Sequence, residues 1–118
     1  MRKILSYEVD GKKLKVLGIS SHRDIVFDFP IGQVLMIMQR ILVRLKPDIG
    51  EICNENVFCV TLDDGIICQV EKVKKFHDAS PYTNVVIENG RLFFYSRDGQ
   101  RMEVNLKDGK IISRVLTK

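Results

Sequence analysis

Tryptophan is absent from these 118 residues, histidine occurs twice and cysteine three times. Each scarcity removes a class of chemistry. Cys53, Cys59 and Cys68 are odd in number and none stands in a Cys-x-x-Cys spacing, so a disulfide framework or a zinc site is not expected. They read as small apolar residues at strand positions, which suits a reducing cytoplasm. His22 lies in Ser-Ser-His-Arg-Asp and His77 in Lys-Phe-His-Asp-Ala. Neither has beside it the third group that an acid–base or nucleophilic constellation requires. The glycines are separated by strand-length segments, which excludes a phosphate-cradling loop. Two carboxylate pairs, Glu51/Glu55 and Asp63/Asp64, match no calcium-loop spacing. The sequence therefore assigns no catalytic residue, no metal and no cofactor.

Long apolar runs are also missing. The longest, Val34 to Met38, has 5 residues, against the ~20 needed to span a bilayer as a helix. The opening Met1-Arg2-Lys3-Ile4-Leu5-Ser6 begins like a signal peptide, but Tyr7-Glu8 interrupts it before an apolar core forms. The expectation is a cytoplasmic protein with no membrane partner, built as one β domain over residues 1–118. The formal charge is +4. Its basic residues are dispersed among acidic ones, as on solvated strand faces and protected edges.

What the chain has in abundance is turn chemistry. Five Asx-Gly pairs punctuate it: Asp10-Gly11, Asp64-Gly65, Asn89-Gly90, Asp98-Gly99 and Asp108-Gly109. Such pairs supply the positive φ of type I′ hairpin turns at least steric cost. The last three lie nine and ten residues apart, so residues 84–118 read as a four-stranded antiparallel meander. Residues 4–9 and 12–19 form a first hairpin. Asp24 to Phe29 follows as a strand that Pro30 stops or sets at an edge. Val57–Leu62 and Ile66–Glu71 pair across Asp63-Asp64-Gly65. Ile41-Leu42-Val43 is a buried-strand pattern within an extended 40–46. Residues 31–38 are open between a strand and a short helix, because Val34, Met38, Ile41 and Leu45 also fit helical spacing. Residues 72–83 form the one long polar loop.

These elements define an all-β fold with at most one short helix. Two packed antiparallel sheets are expected, sandwich-like or resembling part of a β-propeller, ending in the C-terminal meander. The length excludes a complete propeller. Leu92-Phe93-Phe94-Tyr95 is apolar on both faces and suggests a strand covered on both sides. Phe93 and Tyr95 with Arg91, Arg97 and Arg101 supply one functional alternative, a single-stranded nucleic-acid-binding module that stacks bases on aromatic rings.

Three segments carry a resemblance. They are Asn54-Glu55-Asn56-Val57-Phe58, the run Asp63-Asp64-Gly65-Ile66-Ile67-Cys68-Gln69-Val70, and Pro81-Tyr82-Thr83 followed by the meander that closes on Gly109-Lys110-Ile111-Ile112. Over roughly residues 24–118 the chain resembles small bacterial immunity proteins carried beside contact-dependent growth-inhibition toxins. Two departures stand out. Cys68 occupies a position where such proteins usually have tryptophan, and Met36-Ile37-Met38-Gln39 lacks the polar turn expected between two strands. The resemblance implies a stoichiometric inhibitor that binds a toxin's nuclease domain and is not itself an enzyme. An inhibitor that fills a basic nuclease cleft usually presents acidic residues, with which a charge of +4 fits poorly.

The topology selects a binding surface. Strand 57–62 separates Glu51 and Glu55 from Asp63 and Asp64, placing the two pairs at opposite ends. The loop 72–83 should emerge beside Glu51 and Glu55. The expected partner-binding set is therefore Glu51, Glu55, Phe76, His77, Asp78 and Tyr82, with Phe76 or Tyr82 as aromatic anchor and the carboxylates as charge partners.

Overall fold

The computed structural model describes residues 3–48, 50–51, 53–71, 81–89, 91–97, 99–105 and 107–116. Among these residues there is no helix, and eleven strands follow one another as hairpins. β1 (Ser6–Asp10), β2 (Lys13–Leu17) and β3 (His22–Val26) form an N-terminal sheet. β4 (Ile31–Ile37), β5 (Arg40–Leu45), β6 (Val57–Thr61) and β7 (Gly65–Gln69) form a middle sheet. β8 (Tyr82–Glu88), β9 (Arg91–Ser96), β10 (Gln100–Asn105) and β11 (Lys110–Leu116) form the C-terminal meander. Within every sheet the spatial order of strands is the order of sequence and each pairing is antiparallel.

The period-2 alternation of the middle strands explains how three sheets stack. Along β5, Ile41, Val43 and Leu45 point to one face and Leu42 to the other; along β6, Val60 points to the first face, and Val57 and Cys59 to the second. The first face joins Ile4, Leu14, Val16 and Phe27 of the N-terminal part in one core. The second joins Val85, Phe94 and Met102 of the C-terminal sheet in another. A strand apolar on both faces is stable only between two layers, and the middle sheet occupies that place. The middle and C-terminal sheets form the expected packed pair, and the N-terminal sheet adds a third layer. Each sheet is an up-and-down meander packed against the next in chain order.

The open reading of residues 31–38 resolves as β4, which turns into β5 through Met38 and Gln39. Both have positive φ, 47° and 65°, and Ile37 pairs with Arg40. That is a two-residue hairpin loop of the I′ kind without an Asx-Gly pair. The Asp10-Gly11 turn is displaced by one residue from the expected position. Asp10 pairs with Lys13, Gly11 takes φ 59° and Lys12 does not enter the positive region, as in a type II′ turn with glycine first. Asn89, with φ 52°, turns β8 into β9 as its sequence suggests.

Candidate functional site

Side-chain amides join the layers. Asn56, 1% exposed, donates through Nδ2 to the carbonyls of Leu45 and Tyr82, both at 2.9 Å, and its Oδ1 accepts the Tyr82 N–H at 2.9 Å. Gln33 on β4 repeats the device on β8: its Nε2 donates to the Val85 carbonyl at 2.9 Å and its Oε1 accepts the Val85 N–H at 3.1 Å. Gln39 treats Ile4 likewise, accepting its N–H at 2.6 Å and donating to its carbonyl at 3.4 Å. In each case one amide satisfies both backbone groups of a residue in the neighbouring layer. This gives directional contacts between sheets that apolar packing alone would leave free to slide.

These contacts create a defined end of the stack. Gln69 Nε2 donates to the Glu55 carbonyl at 2.7 Å, and Tyr82 Oη donates to the Glu71 carbonyl at 2.7 Å. The exit of β7, the entry of β6 and the start of β8 therefore meet, as the topology of the sequence anticipates. Glu51 and Glu55 are exposed here. Tyr82 corrects the expectation of a surface anchor. It is 1% exposed, its ring stands edge-on to Phe94 at 5.8 Å, and burial raises its hydroxyl pKa. It holds the fold together and its ring is closed to a partner. Phe76, His77 and Asp78 lie outside the described residues.

Between the middle and C-terminal sheets, the same end opens into a cleft of about 360 Å³ lined by Gly32, Arg44, Leu45, Lys46, Pro47, Asn56, Pro81, Tyr82 and Thr83. Arg44 is half-buried, and burial lowers its pKa. Gln33 Oε1 accepts from Arg44 Nε at 3.0 Å, which orients the guanidinium. A Cβ at Gly32 would lie 2.8 Å from Lys46 Cβ and 3.5 Å from both terminal nitrogens of Arg44, so glycine is what allows the β4 backbone to approach these two side chains. Two cations and no carboxylate line the cleft. The expected site set omits Arg44, Lys46, Gln33 and Asn56. The available signal was Arg44 itself, a cation inside the otherwise apolar run Ile41 to Leu45.

At the other end of β6, Asp63 and Asp64 lie in the turn that Arg23 grips. Arg23 donates from Nε to the Leu62 carbonyl at 2.8 Å and from a terminal nitrogen to the Asp63 carbonyl at 2.7 Å. The two acidic pairs thus occupy separate ends. On the outer face of the C-terminal sheet, Phe93 is covered not by another sheet but by Arg91 and Arg101, whose guanidinium carbons lie 5.2 and 4.6 Å from the ring centroid. The same arginines pair with Glu103 and, at 3.8 Å, Glu88, and Tyr95 Oη donates to Glu88 at 3.0 Å. Phe93 is 8% exposed, so its ring is not open for base stacking. Among the described residues no group of three or more His, Cys, Asp or Glu side chains could hold a metal ion. Nor do the described residues contain a helix long and apolar enough to cross a membrane.

Fold and site together define an all-β protein of three consecutive, amide-linked antiparallel sheets with a cationic cleft at one end. The chain belongs to the family described as Domain of unknown function (DUF7957), which it matches over residues 4–116. Among solved structures it is similar to the computationally designed Ika8 protein, at 14% identity and a TM-score of 0.62, over 95% of this chain and 33% of that one. The chain thus spans about a third of the designed protein's length, and the likeness concerns the fold alone. No curated protein was found to match the chain.

Proposed function

We propose that the chain is an immunity protein, a stoichiometric inhibitor that binds a cognate bacterial toxin domain in the cytoplasm of the cell that makes both. The resemblance carried by Asn54–Phe58, Pro81-Tyr82-Thr83 and Gly109–Ile112 motivates this reading. The observation that supports it best is the end of the stack that carries a cleft of about 360 Å³ held in shape by buried hydrogen bonds, with exposed Glu51 and Glu55 in the chain segment between its lining residues Pro47 and Asn56. A surface pre-organised in this way loses little conformational entropy on association, which favours a tight complex. Phe76, His77 and Asp78 are retained as proposed contact residues, and Tyr82 is withdrawn as an anchor. The cations of the cleft suit a toxin surface that is acidic where it meets them, which favours binding beside a nuclease's basic substrate groove over filling it.

The test is growth protection against the toxin domain encoded by the adjacent gene. Charge reversal of Glu51, Glu55 and Asp78, with folding verified by circular dichroism, is expected to abolish protection. Full protection with unchanged affinity would exclude this surface. The alternative, a single-stranded nucleic-acid-binding module, requires salt-sensitive binding of fluorescent oligonucleotides. Affinity tighter than micromolar at near-physiological salt would replace the inhibitor reading with that one.

A further inference from the structure

We propose that the cleft between β5 and β8 is a carboxylate-binding site, in which the Arg44 guanidinium takes both oxygens of an aspartate or glutamate side chain presented by the protein partner while the exposed Lys46 adds a second, longer-range attraction. The inference rests on the protein-binding reading above and names the chemistry the partner must bring.

Three observations carry it. Arg44 lines the cleft, its Nε is committed to Gln33 Oε1 at 3.0 Å, and among the described residues no carboxylate pairs with its terminal nitrogens. A half-buried guanidinium has lost part of its hydration, and an anion reaching it regains that loss through paired hydrogen bonds. Second, a Cβ at position 32 would meet Lys46 Cβ at 2.8 Å and both terminal nitrogens of Arg44 at 3.5 Å, so only glycine lets the β4 backbone lie this close to the two cations without a side chain covering them. Third, the cleft's other donors are largely spent. The Leu45 N–H goes to Asn56 O, the Lys46 N–H to Pro30 O and the Tyr82 N–H to Asn56 Oδ1, while Pro47 and Pro81 have none. A phosphate, with more oxygens and more charge, would find few backbone donors to complete its shell. A carboxylate is matched in shape and charge by the guanidinium fork alone and needs no further backbone donor.

The experiment is an NMR titration of the intact chain, following the Arg44 Nε–H signal and the Gly32 and Thr83 amides. The probes are N-acetylglutamate, inorganic phosphate and sodium chloride at matched ionic strength. N-acetylglutamate is expected to give saturable shifts in the millimolar range that chloride does not reproduce. Arg44→Gln should abolish them, and Lys46→Gln should weaken binding about threefold or more, in line with a solvent-exposed charge partner. Lys46 is exposed, so its variant remains informative should Arg44→Gln fail to fold. Absence of saturable shifts, an unaltered affinity in Lys46→Gln, or phosphate binding more tightly than N-acetylglutamate would each overturn the proposal. A toxin complex that forms while N-acetylglutamate fails rejects the cleft alone. A cleft that binds N-acetylglutamate in a chain indifferent to the toxin rejects the immunity reading alone.

Discussion

Asn56 and Tyr82 are joined as two strands would be: one side-chain amide both accepts the Tyr82 N–H and donates to its carbonyl, each at 2.9 Å. The pair lies between layers that share no strand hydrogen bonds, and the same amide also holds the Leu45 carbonyl. Two segments that carry the resemblance, Asn54–Phe58 and Pro81-Tyr82-Thr83, thus meet through this contact. The motif marks the joint between sheets.

Removing that amide leaves three buried backbone groups unpaired. Asn56→Ala is therefore expected to lower the free energy of unfolding by about 3 kcal/mol, given ~1–3 kcal/mol for a buried polar group left unsatisfied. Urea denaturation checks this. Glu51→Ala, on the exposed rim, should stay within ~0.5 kcal/mol of the wild type.

The Met38-Gln39 turn offers a gain. Met38 is 89% exposed and has φ 47°, a region that costs an L-residue roughly 1 kcal/mol and that asparagine tolerates. Met38→Asn should raise stability by ~0.5–1 kcal/mol in the same assay. Gln39→Gly, although glycine suits φ 65°, should not, because it removes both bonds to Ile4.

Gly109 and Gly11 separate backbone strain from steric exclusion. Both have positive φ, 77° and 59°. A Cβ at Gly109 would lie 2.3 Å from the Gln69 carbonyl oxygen, whereas nothing lies within 4 Å of one at Gly11. Gly11→Ala is expected to cost about 1 kcal/mol from φ alone, and Gly109→Ala clearly more, about 3 kcal/mol. Equal losses would show that the Gly109 turn can move away from β7.

Alkaline pH should weaken the fold through Cys59. Burial, and after it the neighbouring Cys68, pushes its thiol from the ordinary 9.0 up to about 12. The unfolded chain then releases this proton at lower pH than the folded one, so the contribution is fully present below about pH 9 and is lost as pH rises towards 12. The loss amounts to at most about 4 kcal/mol over that window, at 1.36 kcal/mol per unit. Burial raises the Tyr82 and Cys68 pKa values as well, and both act in the same direction. Unfolding free energies measured between pH 8 and 11 should fall, and fall less in Cys59→Ala, in line with the 9.0-to-12 shift.

Much of the fold was legible. The Asx-Gly pairs locate the hairpins of the meander, and the double-faced apolar run Ile41-Leu42-Val43 marks a strand between two layers. The β4–β5 turn was not legible, because Met38 and Gln39 carry no turn signature. Their conformation is held by tertiary contacts, the Gln39 bonds to Ile4 above all. Leu92–Tyr95 misled in a different way, since Phe93 is sheltered by Arg91 and Arg101 and not by a sheet. At the site, strand topology correctly brought Glu55 and the exit of β7 together. It could not tell that Tyr82 points inward, because an aromatic residue in a Pro-Tyr-Thr segment suits a core and an interface equally. Arg44 was passed over because its significance lies in what surrounds it, the close approach of Gly32 and the spent donors of β5 and β8.

Isothermal titration calorimetry of the intact chain against the product of its adjacent gene, which the proposed immunity role makes a toxin, tests the central claim most directly. The account expects a one-to-one complex of nanomolar affinity, weakened at least tenfold both by the combined reversal of Glu51 and Glu55 and by Arg44→Gln. No heat of binding, with both proteins shown to be folded, would contradict it.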